Sequence, residues 1–141
     1  MARIAAVFLL LAALAACAPA VRPGATLYDQ LGGRQGVAAL TDAAIDQYAN
    51  DPRVAPTFEH VDINRFRRLF AEYICKVSDG PCVYTGASMV EAHRGMNLHE
   101  TQFNAIVEDL TAAMTSLHIP VPTQNRLLKR LAPVRKDVIY K

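Results

Sequence analysis

The chain has 141 residues, a formal net charge of +2 and a composition that is 52% hydrophobic. So even a charge balance, with no basic run and no Arg/Lys-rich helix face, excludes nucleic acid as a partner. The length allows one small domain with a single core, and neither an internal repeat nor a low-complexity stretch divides it.

The front end reads as an export signal. Arg3 supplies a positive charge, and Ile4 to Ala16 form an uncharged run. That run suits the apolar region of a signal peptide but is short of the about 20 residues a spanning helix needs. It ends in Leu14-Ala15-Ala16-Cys17, which resembles the lipobox of bacterial lipoproteins, where the cysteine thiol is lipidated and the chain is cut just before it. The alternative is ordinary secretion with a cut after small residues. A cysteine at this place favours the lipoprotein. More than one acyl chain at about 0.8 kcal/mol per buried methylene would hold such a protein firmly to a membrane. Residue 18 is Ala rather than the Asp that resembles an inner-membrane retention signal. The expected organisation is therefore a signal over residues 1–16, lipidated Cys17 and a tether over 17–25, and one domain over 26–141. The expected location is the periplasmic side of the cell envelope, anchored through Cys17 to the outer membrane.

The domain reads as all-α. Leu27, Tyr28 and Leu31 make a short first helix that stops at Gly32-Gly33. Val37, Leu40, Thr41, Ala44, Ile45 and Tyr48 then recur at helical spacing on one face. Pro52 and Pro56 break that pattern, and a loop carries Phe58 and His60. Asp62 suits the N-cap of a helix with the apolar stripe Phe66, Leu69, Phe70, Tyr73, Ile74 and Val77. Asp79-Gly80-Pro81 is a turn. Ala87 to His93 predict a short helix ending at Gly95. Asn97 and Glu100 have capping-box spacing ahead of a helix carrying Phe103, Ile106, Val107, Leu110, Met114 and Leu117. Pro122 suits the first turn of a last helix carrying Leu127, Leu128, Leu131 and Val134. No alternating β pattern runs for more than a few residues.

Once Cys17 is assigned to lipid, Cys75 and Cys82 remain. An even pair in an oxidising compartment is a disulfide by default. A zinc site with a nearby His is the alternative, although a second Cys-x-x-Cys is missing. The sequence has no phosphate loop, no Gly-x-Ser-x-Gly, no triad-like spacing and no Cys-x-x-Cys-His for covalent haem. His93 lies four residues after Met89, so the two share a helix face. From spacing alone, His93 could equally be a surface residue or a satisfied core residue, as could His60, His99 and His118.

Several segments, taken in order, resemble a group I truncated haemoglobin over residues 26–135. Leu27-Tyr28-Asp29-Gln30-Leu31-Gly32-Gly33 is similar to that family's opening motif. Asp51-Pro52-Arg53-Val54-Ala55-Pro56-Thr57-Phe58 is similar to the loop ending in a haem-stacking Phe. Asp79-Gly80-Pro81, Tyr84-Thr85-Gly86, Met89 and His93-Arg94-Gly95-Met96 follow its next motifs, and Phe103 and Leu131-Ala132-Pro133 match near the end. The resemblance implies a two-over-two helical sandwich around a b-type haem, with His93 as proximal ligand to the iron. Neutral imidazole ligates haem iron well, and a single axial His leaves the sixth position open to oxygen, nitric oxide or carbon monoxide. Phe58 would stack on the porphyrin, Phe66, Phe70 and Tyr73 would form the distal wall, and Met89, Phe103, Ile106 and Leu131 would complete the sleeve. Arg68 and Arg94 would face the propionates.

The chain also departs from the family pattern. Counting back from Phe58 places Ile45 where group I members commonly carry a Tyr that bonds to the bound gas. Ala44 precedes it where an aromatic is common, and Phe66 and Phe70 occupy positions where Gln or Leu is frequent. The expectation is an apolar distal pocket with fast oxygen release, and with Tyr73, ahead of Tyr48, as the hydroxyl to compensate. The family is linked with oxygen binding, nitric oxide dioxygenation and peroxidase-like turnover. The last two need an electron donor, which the sequence does not name. The competing class is a helical lipoprotein that uses the scaffold for protein contacts or haem carriage.

Overall fold

A computed structural model describes residues 24–141. The expected export signal, Cys17 and most of the expected tether lie outside the described residues. Helices α1 (Leu27–Gln30), α2 (Gly33–Asn50), α3 (Ile63–Val77), α4 (Met89–Ala92), α5 (Glu100–Ser116), α6 (Val121–Leu131) and α7 (Arg135–Val138) follow in order. Short 3-10 turns cover Ala55–Phe58 and Ala132–Val134. No strand occurs among the described residues, and none of their helices is long and apolar enough to cross a membrane.

The first turns of the fold are set by local chemistry. Thr26 caps α1, its hydroxyl accepting from the Asp29 N–H while the Asp29 carboxylate accepts from the Thr26 N–H. Gly32 and Gly33 take φ of 93° and 63°, a left-handed stretch that lets α1 stop and α2 start within two residues. The α2 face read from the sequence is the buried one: Val37, Leu40, Thr41, Ala44, Ile45 and Tyr48 all point into the core. Asp62 caps α3 by accepting from the Arg65 N–H at 3.0 Å.

The four long helices make a two-over-two sandwich. α2 packs most extensively on α5 and next on α3, while α6 closes against α5 and α3. Leu27, Leu40, Ile74, Met114 and Leu127 are fully buried where these layers meet. Each such side chain contributes about 1.5–3 kcal/mol by leaving water.

Three local expectations are corrected. The box ahead of α5 is not built on Asn97 and Glu100: α5 starts at Glu100 after His99, whose N–H donates to the Gln102 side chain at 3.1 Å. Asn97 instead takes a left-handed φ of 44° in the preceding loop. Leu117 does not join the apolar face of α5; it ends that helix and is exposed. The last helix does not run through Val134. Pro133 lacks the N–H an α-helix would donate back to Lys129, so α6 stops at Leu131, tightens into a 3-10 turn and resumes as α7.

Cys75 on α3 and Cys82 in the following loop are joined as a disulfide, so neither thiol is left for zinc. Gly80 sits inside this closure, where a Cβ would come within 2.6 Å of Cys75 Sγ and 2.7 Å of the Tyr28 ring.

One buried polar group stands out at the α2–α5 crossing. Asp109 is 8% exposed, and its Oδ2 has no hydrogen-bond partner among the described residues. Burial pushes its carboxyl above the usual range, neighbouring Asp51 adds to the shift, and Arg53 opposes it. Burial first, and Asp109 second, push the Tyr48 hydroxyl well above its ordinary value.

Two stability measurements follow. Replacing Cys75 and Cys82 together by Ser should cost about 2–3 kcal/mol, from the entropy the short loop regains when unfolded. A urea titration reads this cost, and an unchanged midpoint would contradict it. A raised Asp109 carboxyl means that charging it penalises the folded state; below its unfolded value of about 3.9 it is protonated in both states and the penalty is absent. Asp109→Asn should therefore stabilise the protein by about 1 kcal/mol at pH 7. That gain should fade as thermal melts are taken toward about pH 3.

Candidate functional site

His93 is presented by a single helical turn with its own cap. Ser88 Oγ accepts from the Glu91 N–H at 3.3 Å, and the Glu91 carboxylate accepts from the Ser88 N–H at 3.2 Å and its hydroxyl at 2.8 Å. The Ser88 hydroxyl is the main reason the Glu91 carboxyl sits below its usual range. α4 ends at His93, whose N–H bonds to the Met89 carbonyl at 3.2 Å. The half-buried ring turns back on the same turn and places Nδ1 2.7 Å from the Met89 carbonyl oxygen. A carbonyl can only accept, so Nδ1 carries the proton. In a neutral imidazole the lone pair then belongs to Nε2, the atom available to a metal. Met89 thus enters through its backbone carbonyl.

A cluster of aromatic rings joins α2, the first 3-10 turn and α3. The Phe58 ring lies parallel to Tyr48 at 5.8 Å and edge-on to Phe66 at 4.9 Å, and Phe66 stacks on Phe70 at 5.4 Å. Phe58 reaches this place from the 3-10 turn, while Phe66 and Phe70 come from successive turns of α3. A cavity of about 360 Å³ opens between α2, the 3-10 turn and α3. Ile45, Tyr48, Ala49, Ala55, Phe58 and Phe66 are among its lining residues, and Glu59 stands there too.

The expected site residues divide into groups. Phe58, Phe66 and Phe70 are brought together with Tyr48, which the sequence ranked behind Tyr73 as a hydroxyl donor. Tyr73 packs edge-on against Tyr84 at 5.3 Å and is not part of the cavity wall. Phe103 and Ile106 are half-buried on α5, and Ile106 and Leu131 pack against the core. Arg94 is exposed and in no ion pair among the described residues. Arg68 is engaged elsewhere: its guanidinium donates to Glu72 at 2.8 Å and to the Thr85 hydroxyl at 2.9 Å.

That engagement belongs to a fastening system which sequence reading missed. The Glu72 carboxylate accepts from the Thr85 N–H at 2.9 Å and its hydroxyl at 2.7 Å, and these bonds hold the Glu72 carboxyl below its usual range. The Tyr84 hydroxyl donates to the Ala87 carbonyl at 2.9 Å. Arg130 on α6 donates to the Val77 carbonyl at 2.8 Å and to Asp79 at 2.6 Å. With the disulfide, these bonds fix the connection from α3, the helix of Phe66 and Phe70, to α4, which leads into His93. Glu72 and Thr85 lie 13 residues apart, and no periodic pattern marks such a pair.

The profile of the family described as bacterial-like globin matches residues 26–140. The group 1 truncated hemoglobin of Tetrahymena pyriformis is 31% identical over 82% of this chain and 96% of the relative. That of a Nostoc species is 28% identical over 82% and 98%. The crystal structure of the Tetrahymena pyriformis protein in its Fe(III) form covers 83% of this chain and 100% of its own, with a TM-score of 0.81 and 31% identity. A Synechococcus 2/2 hemoglobin, solved in the cyanomet state with covalently attached heme, shares the fold at a TM-score of 0.77 and 23% identity, over 82% of this chain and 98% of its own. A capped turn that frees one imidazole nitrogen, set with an aromatic cavity in a two-over-two sandwich, agrees with that sequence match, and the chain belongs to the bacterial-like globins as a group 1 truncated hemoglobin.

Proposed function

We propose that this chain is an exported globin that holds a b-type haem on His93 and binds a diatomic gas at the open iron position. The observation that carries the reading is the His93 Nδ1 contact with the Met89 carbonyl at 2.7 Å, which leaves Nε2 as the ligand atom. When bound, haem supplies an iron whose free axial position takes oxygen, nitric oxide or carbon monoxide. The chain supplies the rest. Met89 fixes the tautomer and tilt of His93. Phe58, Phe66 and Phe70 supply apolar surface that excludes water and packs against a porphyrin face. Ile45 offers the gas no hydrogen bond.

Export with a lipid on Cys17 belongs to the same reading. Arg3, the apolar run to Ala16 and the Leu14-Ala15-Ala16-Cys17 box support it, and a disulfide suits an oxidising compartment. In that place an electron donor outside the cytosol would serve any turnover of nitric oxide or peroxide.

Titrating the purified protein with haem should build a strong Soret band at one equivalent, and His93→Ala should remove most of it. The absence of a band in the unaltered protein would instead favour a scaffold lipoprotein. Ile45→Tyr should slow oxygen release about tenfold, since a hydroxyl donor is worth about 1.4 kcal/mol there; stopped-flow ligand replacement reads this rate. Mass spectrometry of the protein extracted from membranes should find Cys17 as the first residue and carrying acyl chains, and an unmodified Cys17 thiol would contradict the anchor.

A further inference from the structure

The connection from His93 to α5 makes few bonds of its own. Gly95 and Asn97 take left-handed φ of 80° and 44°, so this stretch has neither helical nor strand pairing. The Met96 N–H bonds back to the His93 carbonyl at 3.1 Å, which closes a turn directly behind the imidazole. Three further backbone groups of the loop bond to residues 140 and 141. The Lys141 carbonyl accepts from both the Gly95 N–H and the Asn97 N–H at 3.0 Å, and the Tyr140 N–H donates to the Leu98 carbonyl at 2.9 Å.

The tail is itself held in place. Val138 and Ile139 are 5% and 8% exposed, so the chain enters this contact from a buried anchor. Arg135 pairs with Glu100, tying the start of α7 to the start of α5. The Tyr140 ring stands edge-on to the His99 imidazole at 5.2 Å. Tyr140 itself takes a left-handed φ of 54°, a conformation that costs a non-glycine residue and that the three backbone bonds hold.

From this we infer that residues 138–141 form a proximal clamp, fixing the 95–99 loop and through it the orientation at which His93 meets haem iron. The residues of the clamp are positioning residues, and the inference rests on the haem reading above. The physical reason is that His93 is steered from two sides. Its α4 side is set by the Met89 carbonyl. Its other side is a turn whose next residues, Gly95, Asn97 and Leu98, bond through their backbone to residues 140 and 141, before His99 is taken up by the start of α5. Releasing the tail exposes two backbone donors and one acceptor, and the loop regains several rotatable bonds.

Three variants separate the clamp from mere packing. Ending the chain at Tyr140 removes the acceptor for Gly95 and Asn97 while leaving Val138 and Ile139 in the core. Tyr140→Pro removes the donor to Leu98 and cannot adopt the positive φ. Tyr140→Gly keeps the bond and relaxes the φ, losing only the ring on His99. On haem-free protein, amide exchange at Gly95 and Asn97 should speed up in the first two variants. On the haem-loaded ferrous protein, their iron–histidine stretching band should shift or broaden in resonance Raman. Haem transfer to an acceptor apoglobin should also accelerate about tenfold. Tyr140→Gly should keep the unaltered band and rate. Faster amide exchange with an unmoved band and an unmoved transfer rate overturns the clamp and leaves the haem reading intact. An unaltered protein that takes up no haem overturns both.

Discussion

The hydrogen bond between His93 Nδ1 and the Met89 carbonyl decides what this imidazole can do. A histidine at the end of one helical turn could rotate freely, protonate on either nitrogen or turn to solvent. A bond to a backbone carbonyl four residues earlier removes these choices together. It exists because Ser88 and Glu91 cap a four-residue helix that is too short to persist alone. The cap in turn depends on a loop held by the disulfide, by Glu72 on Thr85, and by Tyr84 on Ala87. The imidazole is therefore carried by a chain of local constraints that begins on α3 and ends at His93.

The apolar character of the aromatic cluster follows from the same helix. Phe66 and Phe70 extend the stripe that buries Ile74 and Cys75 one and two turns later, so packing and pocket are continuous. A wall built this way excludes water and offers a gas little polarity. Tyr48 is among the residues lining the cavity, and its ring stacks on Phe58. Asp109 beneath it adds a buried carboxylate that the fold tolerates at a cost in stability.

Much of the scaffold was legible in the sequence because helical periodicity is a local signal. The α2 face from Val37 to Tyr48 was readable to the residue, while the α3 stripe is half-buried apart from Ile74, with Cys75 buried beside it. The failures were at ends. Asn97 has cap chemistry but serves a left-handed loop, and Pro133 breaks a helix whose apolar spacing continues past it. His93 had no distinctive local context, and only the ordered series of motifs around it gave it a role. The Glu72–Thr85 pair and the tail on Gly95 and Asn97 had no sequence signal, because they join residues with no fixed spacing. For the same reason Tyr48 ranked below Tyr73: both are one or two turns from an expected wall, and only packing shows which faces the cavity.

The central claim is that Nε2 of His93 is the one protein atom that ligates the haem iron. The most direct test is chemical rescue of the His93→Gly variant, followed by resonance Raman of the ferrous protein. The account predicts that the iron–histidine band of the unaltered protein vanishes in the variant and that added imidazole restores an iron–imidazole band. A variant that keeps the original band without imidazole would contradict it, because another side chain would then be holding the iron.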